Sequence, residues 1–102
     1  MNQFEIYNYR TWINLTDEDV LIPRIEKILK ASGYTIINFV EHKFSPEGYT
    51  CVWLLAESHF AVHTFPQDGR SYLELSGCVK SMNEKFVAHV ESFKKEITTT
   101  TL

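Results

Sequence analysis

The sequence predicts an α+β fold, a two-layer sandwich in which an antiparallel sheet carries two helices packed on one face. Three observations predict it. Several segments are apolar or alternating and rich in β-branched and aromatic residues. Two others set apolar residues at helical spacing behind helix-start signals. The resulting order, β-α-β-β-β-β-α, joins its later strands by short turns and not by the long crossovers that parallel pairs need. With both helices on one face, the other face stays half exposed and is a candidate dimer surface.

Residues 3–14 (Phe4, Ile6, Tyr7, Tyr9, Trp12, Ile13 among them) read as the first strand. Thr16 followed by Asp17, Glu18 and Asp19 is a helix-start signal, with acids near the positive end of the dipole. Pro23 then interrupts. A short turn is expected at 17–21, with the main helix running from Pro23 to about Ser32. Ile25, Ile28 and Leu29 form its apolar stripe, and Gly33 stops it. Residues 34–44 form a second strand, and Ser45-Pro46-Glu47-Gly48 is turn chemistry. Thr50 to Ala56 is almost wholly apolar, as a central strand should be. Phe60–Phe65 and Ser71–Leu75 form a hairpin around Pro66-Gln67-Asp68-Gly69. Ser81-Met82-Asn83-Glu84 fits a capping box, opening a helix with Phe86, Val90, Phe93 and Ile97 on one face. Thr98–Thr101 reads as a frayed tail.

At 102 residues the chain is a single domain, 1–102, near the size at which a partner subunit helps. A 44% hydrophobic and 14% aromatic content is that of a globular protein, not a disordered one. The net charge is −3 and Lys and Arg are scattered, so no basic face suggests nucleic acid. No apolar run approaches the roughly 18 residues of a membrane span. The opening Met-Asn-Gln-Phe-Glu-Ile lacks the layout of a secretion signal, so a soluble cytoplasmic protein is expected. Cys51 and Cys78 are accordingly expected as free thiols.

The stretch from Ala56 to Pro66, followed by Cys78, carries the chemistry. It gathers the hydroxyl of Ser58, the imidazoles of His59 and His63, the carboxylate of Glu57 and a thiol. Those are the groups that nucleophilic and acid–base work requires. No His, Cys and carboxylate cluster has metal-ligand spacing, so no metal is expected.

Glu57-Ser58-His59, three residues, then His63-Thr64-Phe65-Pro66 resembles the processing motif of the prokaryotic S-adenosylmethionine decarboxylase proenzymes. In that family the serine, the second histidine and a downstream cysteine stand five and then fifteen residues apart, as Ser58, His63 and Cys78 do. His42-Lys43-Phe44-Ser45-Pro46-Glu47-Gly48 is also similar to the family's His-basic-Phe-x-Pro-x-Gly turn, at matching distance. The resemblance covers roughly residues 33–78 and is weaker outside them.

What the resemblance implies is specific. Ser58 attacks the carbonyl carbon before it. The chain is cut between Glu57 and Ser58, into residues 1–57 (β chain) and 58–102 (α chain). The former Ser58 becomes a covalent pyruvoyl group that forms a Schiff base with the substrate amine and serves as the electron sink for loss of CO2. His63 is the base of processing, Cys78 the proton donor after decarboxylation, and Thr50 occupies the place of a hydroxyl that assists processing. Phe44, Phe65 and Gln67 fall at substrate-binding positions. A homodimer with shared sites and S-adenosylmethionine as substrate follow as expectations. Decarboxylation of ornithine or arginine is the rival within the family. A non-cleaving homologue serving as a binding or regulatory subunit is the rival outside it.

The hairpin register tests part of this. With the turn at 66–69, Glu57 lies opposite Cys78, placing the thiol beside the bond to be cut. Five residues of straight strand span about 16 Å, so His63 reaches Ser58 only if the chain turns near Glu57–His59. The sequence also departs from the family. Gln67 stands where a ribose-binding Glu is common, Phe65 replaces a Trp, and Ser76-Gly77-Cys78-Val79 replaces Phe-Thr-Cys-Gly. An N-terminal Gly-x-His-Leu is not evident in Tyr9-Arg10-Thr11-Trp12. A glutamine still hydrogen-bonds a diol, without the strength a carboxylate brings. His59 is read as structural or pocket-lining, His42 and His89 as surface residues, Cys51 as core and Arg70 as a surface hairpin residue.

Overall fold

The computed structural model describes residues 5–100, with side chains through residue 98. Its elements are β1 (Tyr7–Ile13), α1 (Glu18–Ala31), β2 (Ile36–Lys43), β3 (Tyr49–Leu55), β4 (Ser58–Phe65), a 3₁₀ turn (Pro66–Asp68), β5 (Arg70–Gly77) and α2 (Lys80–Thr100). The five strands form one sheet in the order β1-β5-β4-β3-β2, and every neighbouring pair is antiparallel. Strands β2 to β5 are a meander built by tight links. Strand β1 closes the far edge against β5, so α1 must carry the chain back across the sheet to β2.

Period-two alternation decides which face is covered. Tyr49, Cys51, Trp53 and Leu55 of β3, Phe60 and Val62 of β4, and Leu73 and Leu75 of β5 are buried. They pack with Leu21, Ile25, Ile28 and Leu29 of α1 and Phe86, Val90 and Phe93 of α2 in one core. Each large apolar side chain taken wholly out of water stabilises by roughly 1.5–3 kcal/mol, which is why both helices dock on this face. The opposite face keeps Trp12, Val40, Val52 and Leu54 in solvent.

Four expectations need correction. Helix α1 is continuous from Glu18, capped by the Asp17 carboxylate, which accepts from the Asp19 N–H at 3.0 Å; Pro23 lies inside it. Proline removes one backbone donor, but Leu21, Ile25 and Ile28 bury one stripe on both sides of it, and tertiary packing holds the helix together. Helix α2 begins at Lys80, with Asn83 N–H donating to Val79 O at 3.0 Å, so Ser81 sits inside the helix and does not cap it. The threonines to Thr100 are helical and continue α2, and Thr101 lies outside the described residues. The first strand starts at Tyr7; residues 3 and 4 of its expected span lie outside the described residues.

Candidate functional site

The β3–β4 hairpin places Ser58 at the first position of β4, paired with Leu55 across the two-residue link Ala56-Glu57. Ala56 N–H donates to Thr35 O at 3.0 Å and ties the hairpin tip to the residue before β2. Glu57 has φ of 60°. A residue with a Cβ carries roughly 1–2 kcal/mol of steric strain in that left-handed region, so the strain sits at the residue whose peptide bond leads into Ser58. The β4–β5 register pairs His59 with Ser76 and Phe65 with Arg70. Carried one step beyond each strand, the same register sets Cys78 opposite Glu57, and the Cys78 thiol donates to Glu57 O at 3.6 Å.

Beneath this hairpin lies a residue that the sequence reading passed over. Gly33 (φ 101°) ends α1 in a Schellman motif. Gly33 N–H donates to Lys30 O and Tyr34 N–H to Leu29 O, both at 3.1 Å. The motif turns the Tyr34 ring into the core, edge-on to Phe86 with ring centroids 6.4 Å apart. The Tyr34 hydroxyl is buried without a hydrogen-bond partner among the described residues, an arrangement that costs roughly 1–3 kcal/mol. Space for it comes from Gly77, where an added Cβ would lie 2.8 Å from the Tyr34 hydroxyl and 3.4 Å from Ser58 Oγ. Burial raises the Tyr34 phenol above its ordinary value, and negative charge on Cys78 adds to the effect. No local signal marks Tyr34, because its site neighbours Ser58, Gly77 and Cys78 lie far along the chain.

A second cluster forms on the open face. Thr50 pairs with His63 across β3 and β4, and the Thr50 hydroxyl lies 2.9 Å from His63 Nδ1. The ring of Tyr72 stacks over His63, with planes 23° apart. Thr50 and His63 line a groove of about 330 Å³ together with Phe44, Phe65 and Gln67, so every expected substrate-binding residue falls in it. Gly48 (φ 110°) makes the turn that closes its floor, with Phe44 N–H donating to Gly48 O at 2.8 Å. Arg70 leaves this groove to stack over the Trp12 ring, its Cζ 3.9 Å from the centroid. His59 lines a separate polar hollow with Arg10 and Glu74, and His42 and His89 are exposed.

The two clusters do not meet within one chain. The turn at Ala56-Glu57 comes before Ser58, and Ser58 to Phe65 is one uninterrupted strand. Along it Ser58 and His63 stand about 16 Å apart, and at odd spacing their side chains leave opposite faces of the sheet. A base role for His63 on Ser58 of its own chain is therefore corrected. Both cysteines are free thiols; Cys51 is buried, and burial pushes its thiol up to about 12.

The model of the family described as S-adenosylmethionine decarboxylase matches residues 4–101. The chain belongs to that family. Among curated relatives, the S-adenosylmethionine decarboxylase proenzyme of Prochlorococcus marinus is 39% identical over 64 residues, 63% of this chain and 51% of the relative. That of a Synechococcus strain is 38% identical over 77 residues, 74% and 60% of the two chains. That of Methanococcus maripaludis is 40% identical over 78 residues, 72% and 64%. The chain thus spans about half to two thirds of the length of the relatives it matches. The crystal structure of the adenosylmethionine decarboxylase from Aquifex aeolicus superposes with a TM-score of 0.69 at 22% identity, covering 88% of this chain and 78% of that one. It shares the α+β fold. No helix among the described residues is long and apolar enough to cross a membrane.

Proposed function

We propose that the chain is a self-cleaving, pyruvoyl-dependent S-adenosylmethionine decarboxylase, cytoplasmic and active as a homodimer. One observation carries the reading: the Cys78 thiol donates to the carbonyl oxygen of Glu57, the carbonyl that Ser58 must attack. A donor on that oxygen draws electrons from the carbonyl carbon and stabilises the negative charge that addition develops. Ser58 Oγ adds to the Glu57 carbonyl carbon, the bond from that carbon to the Ser58 nitrogen breaks, and the nitrogen takes up a proton, leaving an ester. Loss of the Ser58 α-proton then expels Glu57 as a free carboxylate, separates residues 1–57 from 58–102 and leaves a dehydroalanine, whose imine tautomer takes up water and releases ammonia to give the pyruvoyl carbonyl.

The residues present fit the prosthetic group: residue 58 is half-buried next to the exposed hairpin tip, behind a strained peptide and beside a thiol. When formed, a pyruvoyl carbonyl supplies the electron sink for loss of CO2 from an amino acid. Cys78 remains beside it as a proton source. Phe44 and Phe65 offer aromatic faces to the adenine ring, and Gln67 offers an amide to the ribose diol.

The separation of Ser58 from His63 argues for a second copy. A complete site pairs the Glu57–Ser58–Cys78 cluster of one chain with the Thr50–His63 pair and groove of another. The exposed apolar side chains Trp12, Val40, Val52 and Leu54 give the open face material to bury in such a dimer. A denaturing mass spectrum after incubation tests the reading, with CO2 release from S-adenosylmethionine, ornithine and arginine assayed in parallel. Fragments 1–57 and 58–102 with release from S-adenosylmethionine are expected; a lasting single species near 11.9 kDa overturns self-cleavage.

A further inference from the structure

We infer that Tyr34 is a positioning residue of the processing site, its hydroxyl donating to Ser58 Oγ as that oxygen turns toward the Glu57 carbonyl carbon. The inference deepens the self-cleavage reading and rests on it. Three observations carry it. The Tyr34 side chain is 4% exposed, and its hydroxyl is buried without a partner among the described residues. A buried polar group without a hydrogen-bond partner is rare and calls for an explanation. That end and Ser58 Oγ border one small space, the volume over Gly77, where an added Cβ would lie 2.8 Å from the first and 3.4 Å from the second. Gly77 is itself the third element, because any side chain there would strike the phenol oxygen at 2.8 Å.

The arrangement gives the attacking oxygen a definite posture. A serine hydroxyl at a strand end has three rotamers of similar energy, and only one faces back along the chain to the preceding carbonyl carbon. A donor fixed in the core engages one lone pair of Ser58 Oγ, leaves the other for the carbonyl carbon, and leaves the serine's own hydrogen free for removal. Tyr34 is suited to that task because its ring is held by Phe86 and its backbone by the Schellman hydrogen bonds. The phenol stays protonated at neutral pH, so it acts as a donor and never as the base. Cys78 holds the carbonyl oxygen from the other side of the same hairpin, so nucleophile and electrophile are each aligned by one hydrogen bond.

The test is a cycle of four proteins: parent, Tyr34→Phe, Gly77→Ala and the double variant. Each is followed by denaturing mass spectrometry for cleavage and by thermal melting for fold. Tyr34→Phe keeps the ring and should melt at or above the parent temperature while cleaving about tenfold more slowly, the scale of one lost orienting contact. Gly77→Ala should lower both melting temperature and cleavage rate, because its methyl group displaces the phenol. In the double variant the melting temperature should recover while cleavage stays as slow as in Tyr34→Phe. Recovery of both in the double variant, or parent-rate cleavage in Tyr34→Phe, overturns the role of Tyr34 and leaves self-cleavage standing. A parent chain that never cleaves overturns both.

Discussion

The thiol of Cys78 and the carbonyl oxygen of Glu57 lie 3.6 Å apart although their residues are twenty-one positions apart in sequence. Strand pairing produces the contact. The β4–β5 register pairs residues around the Pro66–Asp68 turn, and these two face each other two positions beyond its last pair, His59–Ser76.

Ser58→Ala removes the hydroxyl that the proposed cleavage requires. The variant should stay a single species near 11.9 kDa and release no CO2 from S-adenosylmethionine. Decarboxylation retained by purified Ser58→Ala would contradict the pyruvoyl reading.

Cys78→Ala should separate the two activities. Strand pairing and the strained Glu57 survive, so cleavage slows but continues, while turnover drops by about 10²–10⁴, the scale of a lost general acid. Comparing the cleaved fraction with kcat for the same sample checks this. An unchanged kcat removes Cys78 as proton donor.

Mixing inactive chains tests the shared site. Ser58→Ala and His63→Ala chains, each uncleaved alone, should regain cleavage when refolded together. About a quarter of the sites become competent, since half the dimers are mixed and each holds one intact pair. No recovery in dimers shown to be mixed by native mass spectrometry would place the base of Ser58 processing elsewhere.

Stability should fall at alkaline pH. The Cys51 thiol rises from an ordinary value of 9.0 to about 12, chiefly through burial. Folding thus favours its protonated form, a contribution complete below pH 9 and lost as pH climbs toward 12. The Tyr9 and Tyr49 phenols are also raised, with burial the largest cause for each and Glu91 and Glu41 as their hydrogen-bond partners. Urea midpoints measured from pH 7 to 11 should decline above pH 9, less steeply in Cys51→Ala. A flat profile would show that these groups are not buried as described.

Phe60→Ala should cost about 3–5 kcal/mol. The ring is wholly buried, with centroids 5.0 Å from Phe86 and 5.7 Å from Trp53, so its loss opens a cavity where sheet and α2 meet. Chemical denaturation of the Ser58→Ala background measures this without cleavage complicating the transition.

Elements with strong periodicity were legible from the residues themselves. The apolar run of β3 and the Phe86–Val90–Phe93 stripe of α2 are written in nearby positions, and Cys51, Trp53 and Leu55 of the one and all three residues of the other land on the core. Helix boundaries were less legible. Pro23 and the Ser81–Glu84 box are genuine local signals, overridden because burying Leu21 with Ile25 and packing Phe86 outweigh a single missing donor or cap. At the site, the types and spacing of Ser58, His63 and Cys78 were readable, as was the register that puts Cys78 at Glu57.

By itself the sequence determined the antiparallel sheet pattern, the hairpin register and the serine on which the proposed chemistry turns, because all of these follow from residue type and short-range spacing. Tertiary structure alone decided that Ser58 and His63 face opposite sides of one continuous strand. It alone decided that Tyr34 enters the space left by Gly77, 43 positions away. The reason is physical. Side-chain direction along a strand alternates locally, but what meets a side chain depends on how distant elements pack. The motif that names Ser58 and His63 together is therefore one line of sequence split between two places in the fold.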